Sequence, residues 1–244
     1  MPPLRHASRA FSKPFLPPRG YLRAPLIALA LDHDAGLLRE LGVDLLFAPT
    51  ESEIYPSGTN EVAFVEVPSL SGVLCGADRP GHFRGVVTVV SKLFNMVQPD
   101  LAVFGEKDYQ QLEIIRRLVR ELDFPVRIIG VPTYREEDGL AMSSRNGYLT
   151  AEERGRAPGL YRMLRRVSDA LGSGTRDLED LERSGRDELR ESGFDPDYVS
   201  IRRQDDLGPP SPGDTRLVVL AAARLGAARL IDNLIVGVER PPPL

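Results

Sequence analysis

Two polar segments of this 244-residue chain carry side chains suited to binding phosphate. The first segment, 104–111, reads Phe-Gly-Glu-Lys-Asp-Tyr-Gln-Gln and lies where a predicted strand passes into a predicted helix. A helix N-terminus presents unpaired N–H groups, so together with Lys107 it suits an anion. Asp108 is predicted either to cap this helix or to help hold Mg²⁺ near phosphates, and Gln111 to hydrogen-bond a polar substrate. A solvated loop with a capping aspartate explains the same residues equally well.

The second segment, 138–146, contains Asp-Gly followed by Met-Ser-Ser-Arg-Asn at 142–146. Two hydroxyls and a guanidinium suit a phosphate-binding loop, because Arg is always charged and binds phosphate bidentately. The alternative is a boundary loop whose serines cap the next helix. Both segments follow predicted strands on one side of a sheet. Lys107 and Arg145 are therefore expected to stabilise the charge that develops when a nucleophile attacks the α-phosphate of ATP.

Short apolar strands alternate with amphipathic helices around the first segment. Helical spacing of apolar residues predicts helices over 86–97 and 109–122, and apolar runs predict strands over 43–47, 63–67, 101–104 and 126–131. A short helix is predicted to end at Gly42, with order beginning near Asp34. This alternation predicts an α/β fold with a parallel sheet, whose ligands bind beyond the carboxyl ends of the strands.

The composition changes after Thr150, which forms a predicted capping box with Glu153. Charged helices are predicted up to about residue 193, followed by strands over 198–201, 217–222 and 229–236. This pattern predicts a smaller α+β domain with its boundary near 149–151.

Charge and cysteine content exclude several classes of protein. The net charge of −4 argues against a general nucleic-acid binder, and the single cysteine, Cys75, excludes a disulfide framework and favours a reducing cytoplasm. The apolar run 26–31 is too short for a membrane span. Residues 1–25 carry five basic residues, six prolines and no acid, which suggests a disordered tail, a targeting peptide or a mis-assigned start.

Taken together, the two segments resemble those of the pantothenate synthetase (pantoate–β-alanine ligase) family. The resemblance covers roughly 34–240 and also rests on 38–44, 55–56, 79–83 and 230–233. It implies a Rossmann-like parallel sheet of the nucleotidyl transferase superfamily, N-terminally incomplete, with a small C-terminal α+β lid. The implied divisions are a non-matching leader (1–30), an ATP- and pantoate-binding domain (31–149) and the lid (150–244).

The family reaction implied by the resemblance has two steps. Pantoate attacks the α-phosphate of ATP with Mg²⁺ present, giving pantoyl-adenylate and pyrophosphate, and the β-alanine amine then displaces AMP. Family members are usually homodimers. Gln111 matches the pantoate-binding glutamine, and Lys107 and Arg145 are the implied catalytic residues. The positions that match ATP-binding residues are Gly105, Glu106, Lys107, Asp108, Tyr134, Met142, Ser143, Ser144 and Arg145.

The chain departs from the family pattern near its start. The family carries a histidine motif after its first strand, whereas the histidines here are His6, His33 and His82. A second pantoate-binding glutamine is also absent. His82 is expected to pack at a helix start, with lining of the pocket as the alternative. Loss of the first βαβ unit is expected to leave unpaired backbone groups and an exposed apolar face. Residues 1 to about 30 are interpreted as a mis-started or out-of-frame translation.

Three hypotheses follow from this departure. The chain is an active synthetase whose true start was lost in gene prediction, a truncated homologue that is catalytically dead, or a nucleotidyl transferase acting on another acid. The match of Gln111 disfavours the third.

Overall fold

Strands and helices alternate through the first half of the chain, and three long strands end it. The computed structural model describes residues 10–12, 24–59 and 62–237. The helices are α1 (Ala24–Glu40), α2 (Glu51–Ile54), α3 (Pro68–Ser71), α4 (Cys75–Asp78), α5 (His82–Val97), α6 (Tyr109–Glu121), α7 (Ala151–Arg156), α8 (Gly159–Gly172) and α9 (Leu178–Glu191). The strands are β1 (Ala10–Ser12), β2 (Leu45–Phe47), β3 (Leu101–Gly105), β4 (Arg127–Val131), β5 (Asp195–Arg203), β6 (Arg216–Leu225) and β7 (Ala228–Gly237). Short 3₁₀ helices cover Glu106–Asp108 and Ser144–Tyr148.

The parallel strands lie in two pairs. β1 pairs with β2, and β3 pairs with β4 in a register that sets Gly105 opposite Val131. The chain therefore leaves β3 and β4 at the same edge, as predicted for the two polar segments. Helix α6 crosses between the two strands and buries Leu112, Ile115 and Leu118. The predicted α/β class with a parallel sheet is confirmed.

The C-terminal strands form one antiparallel sheet in the order β5-β6-β7. Alternate residues of β6 enter different cores. Leu217 and Val219 pack with α8 and α9, whereas Val218 and Leu220 pack in the core around α5 and α6. A strand covered on both faces is apolar at every position, which explains the unbroken run from Leu217 to Ala223. The sheet therefore completes both cores of the molecule, and the division at 149/150 stays a prediction.

Several predicted elements are confirmed, and the capping box at the start of α7 is one of them. The Thr150 hydroxyl accepts a hydrogen bond from the Glu153 N–H, and the Glu153 carboxylate accepts one from the Thr150 N–H at 2.8 Å. The predicted strand at 63–67 is wrong. The Val65 N–H donates to Thr88 Oγ1 at 3.0 Å, so a side chain of α5 replaces the missing ladder partner.

The N-terminal interpretation also needs correction. Order is predicted to begin near Asp34, yet Ala10–Ser12 pairs with β2 and α1 begins at Ala24. Pro25 stands in the first turn of α1, where its missing N–H removes no intrahelical hydrogen bond. The rest of the leader, 1–9 and 13–23, lies outside the described residues.

An exposed apolar face lies on the β3–β4 pair. Within the described residues β3 has a strand partner on one edge only, and Val103 at its centre is 62% exposed. Leu101 and Val131 are also exposed. This is the kind of surface expected where a neighbouring strand is lacking. None of the helices in the described ranges combines the length and the apolar character that crossing a membrane requires.

Candidate active site

The first segment begins where β3 ends. Gly105 closes the strand, Glu106–Asp108 forms one 3₁₀ turn, and α6 starts at Tyr109. Lys107 is half-buried and has no ion-pair partner among the described residues. The Glu106 side chain lies over Gly130 in β4, where an added Cβ would be 2.8 Å from Glu106 Oε1. The segment thus presents an uncompensated cation beside a helix N-terminus.

Asp108 stands immediately before α6 and is exposed. Although it occupies the capping position, its side chain makes no capping hydrogen bond, so the capping alternative is wrong. No group of three or more metal-ligating His, Cys, Asp or Glu side chains occurs in the part of the chain that the structure describes. Any cation held here would therefore need ligands in addition to Asp108.

The two glutamines of the first segment have different surroundings. Gln110 is buried, and its amide accepts from the Cys75 N–H at 3.1 Å and donates to the carbonyls of Leu70 and Val73. Gln111 is half-buried, and its side chain has no hydrogen-bond partner within the described ranges. Gln110 therefore stabilises the fold, and Gln111 keeps its amide available for a ligand.

The second segment forms a compact turn after β4. Arg135 bridges to Ala141, and the Met142 N–H donates to the Tyr134 carbonyl at 2.9 Å. The Ser143 hydroxyl accepts from the Arg145 N–H at 3.2 Å and so caps the following 3₁₀ helix, which is the predicted alternative role for a serine here. Ser144 is exposed and Arg145 half-buried. The Tyr134 side chain is 74% exposed, and Met142 is exposed beside it.

A buried ion pair joins β7 to Arg135, which stands between β4 and the second segment. Arg135 donates to both carboxylate oxygens of Asp232, at 2.6 and 3.0 Å, and to the Gly139 carbonyl at 3.1 Å. Its guanidinium stacks on the Tyr161 ring, 3.9 Å from the centroid. Gly139 has a φ of +90°, and an added Cβ would be 2.4 Å from Tyr161 Cδ1. Glycine at this position therefore permits the close packing of the segment on α8.

The two segments meet in one cleft. Lys107 and Ser143 both line it, together with Asp232 and Tyr161. Of the predicted pair Lys107 and Arg145, only Lys107 lines this cleft, and Ser143 meets it there from the second segment. Whether each predicted residue acts on a substrate stays a prediction.

The charges of Arg79 and Arg145 act on His82, the first residue of α5. Burial, together with the guanidinium groups of Arg79 and Arg145, lowers the pKa of His82 from 6.5 to about 4. His82 is the first residue of α5, and its ring lies 4.9 Å from that of Phe83. His82 is therefore neutral at physiological pH.

The sequence patterns assign no role to Arg135, Asp232 or Asn233, although Asp232 and Asn233 are buried and hydrogen-bonded at the site. Asn233 Nδ2 donates to the carbonyls of Glu106 and Lys107, at 2.9 and 3.0 Å. The available signal was the polar pair Asp232-Asn233 inside the apolar run 230–236. A polar pair in a buried strand requires partners, and these lie in the two segments.

Comparisons with known proteins agree with this arrangement. The model of the pantoate-beta-alanine ligase family matches residues 28–235. A pantothenate synthetase of Thioalkalivibrio sulfidiphilus is 57% identical over 212 residues, which span 87% of this chain and 73% of the relative. One from Pseudomonas putida KT2440 is 56% identical over 211 residues, with 86% and 73% covered.

Solved structures are similar as well. The pantothenate synthetase of Thermus thermophilus superposes with a TM-score of 0.78 at 50% identity, covering 84% of this chain and 74% of that one. The pantoate-beta-alanine ligase of Francisella tularensis, complexed with beta-gamma ATP and beta-alanine, gives 0.70 at 31% identity, covering 93% and 78%. On the family match and the identity of these relatives, the chain belongs to the pantoate–β-alanine ligase family.

Proposed function

We propose that this chain condenses pantoate with β-alanine at the expense of ATP, through a pantoyl-adenylate intermediate. The observation that carries the proposal is the meeting of Lys107 and Ser143 in one cleft at the carboxyl edge of β3 and β4. Family membership and the Francisella relative complexed with beta-gamma ATP and beta-alanine support it.

The two segments hold ATP in this proposal. Residues 105–108 and the N-terminus of α6 bind phosphate oxygens, because backbone N–H groups and the helix dipole favour anions there. Ser143, Ser144 and Arg145 bind the phosphates from the second segment. Tyr134 and Met142, joined by a backbone hydrogen bond, contact the nucleotide.

The chemistry follows from the charge at the cleft. A pantoate carboxylate oxygen bonds to the α-phosphorus of ATP as the bond to pyrophosphate breaks, and Lys107 and Arg145 stabilise the negative charge that develops. The β-alanine nitrogen then bonds to the acyl carbon, AMP leaves with the bonding electron pair, and the nitrogen loses a proton to solvent. Gln111 orients pantoate through its amide, which has no hydrogen-bond partner among the residues that the structure describes.

The first segment also fits Mg²⁺. This ion keeps several waters and binds through one or two carboxylates together with substrate phosphates. Asp108 is exposed and makes no capping hydrogen bond, so it would hold the ion beside the phosphates. When bound, Mg²⁺ neutralises phosphate charge. We further propose that the protein acts as a cytoplasmic homodimer and binds neither nucleic acid nor membrane.

Substitution of the two named side chains tests this function. Purified protein is given ATP, pantoate and β-alanine with Mg²⁺, and AMP release is measured. Lys107→Ala is expected to lower kcat/KM by about 10²–10³-fold. Gln111→Ala is expected to raise the KM for pantoate far more than that for ATP. Lys92→Ala is a matched control, because that ammonium lies over the Tyr55 ring away from the cleft.

The outcomes separate the remaining hypotheses. Equal loss of pantoate and ATP use in Gln111→Ala would indicate a different acid substrate. ATP binding by wild-type protein without AMP release would favour the second candidate, a homologue with impaired catalysis that keeps partial ATP and pantoate binding. The exposed Val103 face on β3 favours that candidate, because strand β3 carries the first segment.

A further inference from the structure

Asn233 lies in β7, remote in sequence from the first segment, yet its side chain contacts the backbone there. Asn233 is buried, with 6% of its surface exposed to solvent. The amide nitrogen Nδ2 donates to the Glu106 carbonyl at 2.9 Å and to the Lys107 carbonyl at 3.0 Å. Both amide protons of one side chain are therefore used on two successive peptide groups.

These two contacts also fix the direction of the neighbouring backbone N–H groups, because the peptide bonds are trans. The carbonyl of one residue and the N–H of the next point in opposite directions from a planar peptide group. Because the Glu106 and Lys107 carbonyls point at Asn233, the N–H groups of Lys107 and Asp108 point away from it. The amide thus sets which side of the first segment presents backbone donors.

The same strand residue also contacts Arg135, which stands just before the second segment. The Asn233 carbonyl accepts from Arg135 Nη2 at 3.4 Å, and the Asn233 N–H donates to Asp232 Oδ1 at 2.8 Å. Asp232 in turn pairs with Arg135. One dipeptide of β7 therefore contacts the first segment directly and reaches the second segment through Arg135, which hydrogen-bonds the Gly139 carbonyl.

We propose that Asn233 is a positioning residue for ATP. It fixes the two peptide groups at 106–108 so that their N–H groups and the Lys107 ammonium are oriented before the nucleotide binds. The inference rests on the proposed role of the first segment in ATP binding. It assigns a function in the ligase reaction to a side chain that touches no substrate.

Three variants of Asn233 and one control test this role. Asn233→Ala removes both donors, and Asn233→Ser leaves one hydroxyl donor. Asn233→Asp replaces the donor with an oxygen that faces two carbonyl oxygens. Gln204→Ala is the matched control, because the buried Gln204 side chain hydrogen-bonds the Leu217 carbonyl at 3.0 Å and Arg216 rather than either segment. The backbone carbonyl of Gln204, which accepts from the Tyr109 hydroxyl at 3.3 Å, is kept in this variant.

The first measurement needs no activity. Amide hydrogen exchange of the peptide covering 105–111, in ligand-free full-length protein, is expected to quicken about tenfold in Asn233→Ala, as expected for loss of a buried hydrogen-bond donor. Exchange in Asn233→Ser is expected to be intermediate. Gln204→Ala, although destabilised to a similar extent in urea, is expected to leave exchange at 105–111 unchanged.

The second measurement is kinetic. Asn233→Ala is expected to raise the KM for ATP about tenfold and to lower kcat, with the KM for pantoate within about twofold of wild type. Asn233→Asp is expected to be worse than Asn233→Ala, and Asn233→Ser better. Equal losses for ATP and pantoate would overturn the proposal.

The two measurements separate this inference from the proposed function. If wild-type protein neither binds ATP nor releases AMP, the proposed function fails, and exchange at 105–111 still decides whether Asn233 orders the segment. Unchanged exchange in the Asn233 variants, or the same increase in Gln204→Ala, would overturn the inference. Because Asn233→Ser keeps one donor, it supplies the measurement if Asn233→Ala does not fold.

Discussion

Removing either partner of the ion pair between Arg135 and Asp232 is expected to destabilise the protein, but by different amounts. The Asp232 side chain is 2% exposed and that of Arg135 is 18% exposed. If Arg135 is removed, the Asn233 N–H at 2.8 Å is the one hydrogen-bond donor that the buried carboxylate keeps among the described residues. If Asp232 is removed, the guanidinium keeps the Gly139 and Asn233 carbonyls and the Tyr161 ring. Arg135→Ala should therefore destabilise the protein more than Asp232→Ala.

The structure sets the sizes of these effects. An uncompensated buried charge costs about 3–5 kcal/mol, so Arg135→Ala is expected to lower the free energy of unfolding by about 4 kcal/mol. Asp232→Ala leaves a cation that retains two acceptors and some solvent, and about 2 kcal/mol is expected from the lost charged hydrogen bonds. The double variant should cost at least about 1 kcal/mol less than the sum, since the two residues contact one another.

Urea denaturation of the single and double variants measures these energies. Arg190→Ala is the control, because Arg190 pairs with Asp187 at a similar distance of 2.7 Å but both side chains are more than half exposed. That variant should change stability by no more than about 0.5 kcal/mol. The reasoning fails if Arg135→Ala costs no more than Arg190→Ala, or if Asp232→Ala is the more damaging substitution.

Three further predictions follow from the contacts of single residues. Gln110→Ala should lower the free energy of unfolding by about 3 kcal/mol in urea, because the buried Cys75 N–H and Leu70 carbonyl lose a side-chain partner, and a cost below about 1 kcal/mol would contradict this. Gly139→Ala should be destabilising by at least about 2 kcal/mol because of its positive φ and the clash with Tyr161. Gly174→Ala is the control, because Gly174 has a φ of +98° but open space around it, and this variant should lose less stability than Gly139→Ala. Equal losses of melting temperature in the two variants would show that the clash with Tyr161 does not contribute. Burial lowers the pKa of His82 from 6.5 to about 4, so as the pH falls the unfolded protein takes up a proton at His82 before the folded protein does. The free energy of unfolding is therefore unaffected by His82 above pH 6.5 and decreases as the pH falls from 6.5 towards 4. Relative to His82→Gln, wild-type protein should therefore lose stability over that range in urea titrations, and parallel pH profiles would refute the argument.

The central elements were predictable because their patterns are strong and local. Apolar residues at helical spacing marked α5 and α6, and short apolar runs between prolines and glycines marked β3 and β4. The segment 63–67 shows the limit of this reasoning. It has a strand-like composition, but its backbone is satisfied by Thr88, a partner 23 residues away that no local pattern indicates.

The candidate site was predictable only in its loops. A strand, a glycine and a lysine before a helix located the first segment, yet nothing local distinguishes Gln110 from Gln111. Their difference arises because α6 turns one towards Cys75 and leaves the other half-exposed. The same limit applies to Asp108, whose capping position was predictable while the absence of the capping hydrogen bond was not.

The role of β7 follows from the way that the C-terminal sheet packs. Val218 and Leu220 of β6 enter the core around α5 and α6, which places the neighbouring strand β7 against the first segment. Asp232 and Asn233 then meet the loops after β4 and β3, although they stand about a hundred residues later in the chain. A sheet that packed only on α8 and α9 would leave that polar pair unsatisfied in a buried strand. Satisfaction of this pair therefore couples the geometry of the two loops that we propose bind ATP to strands that themselves carry no phosphate-binding sequence.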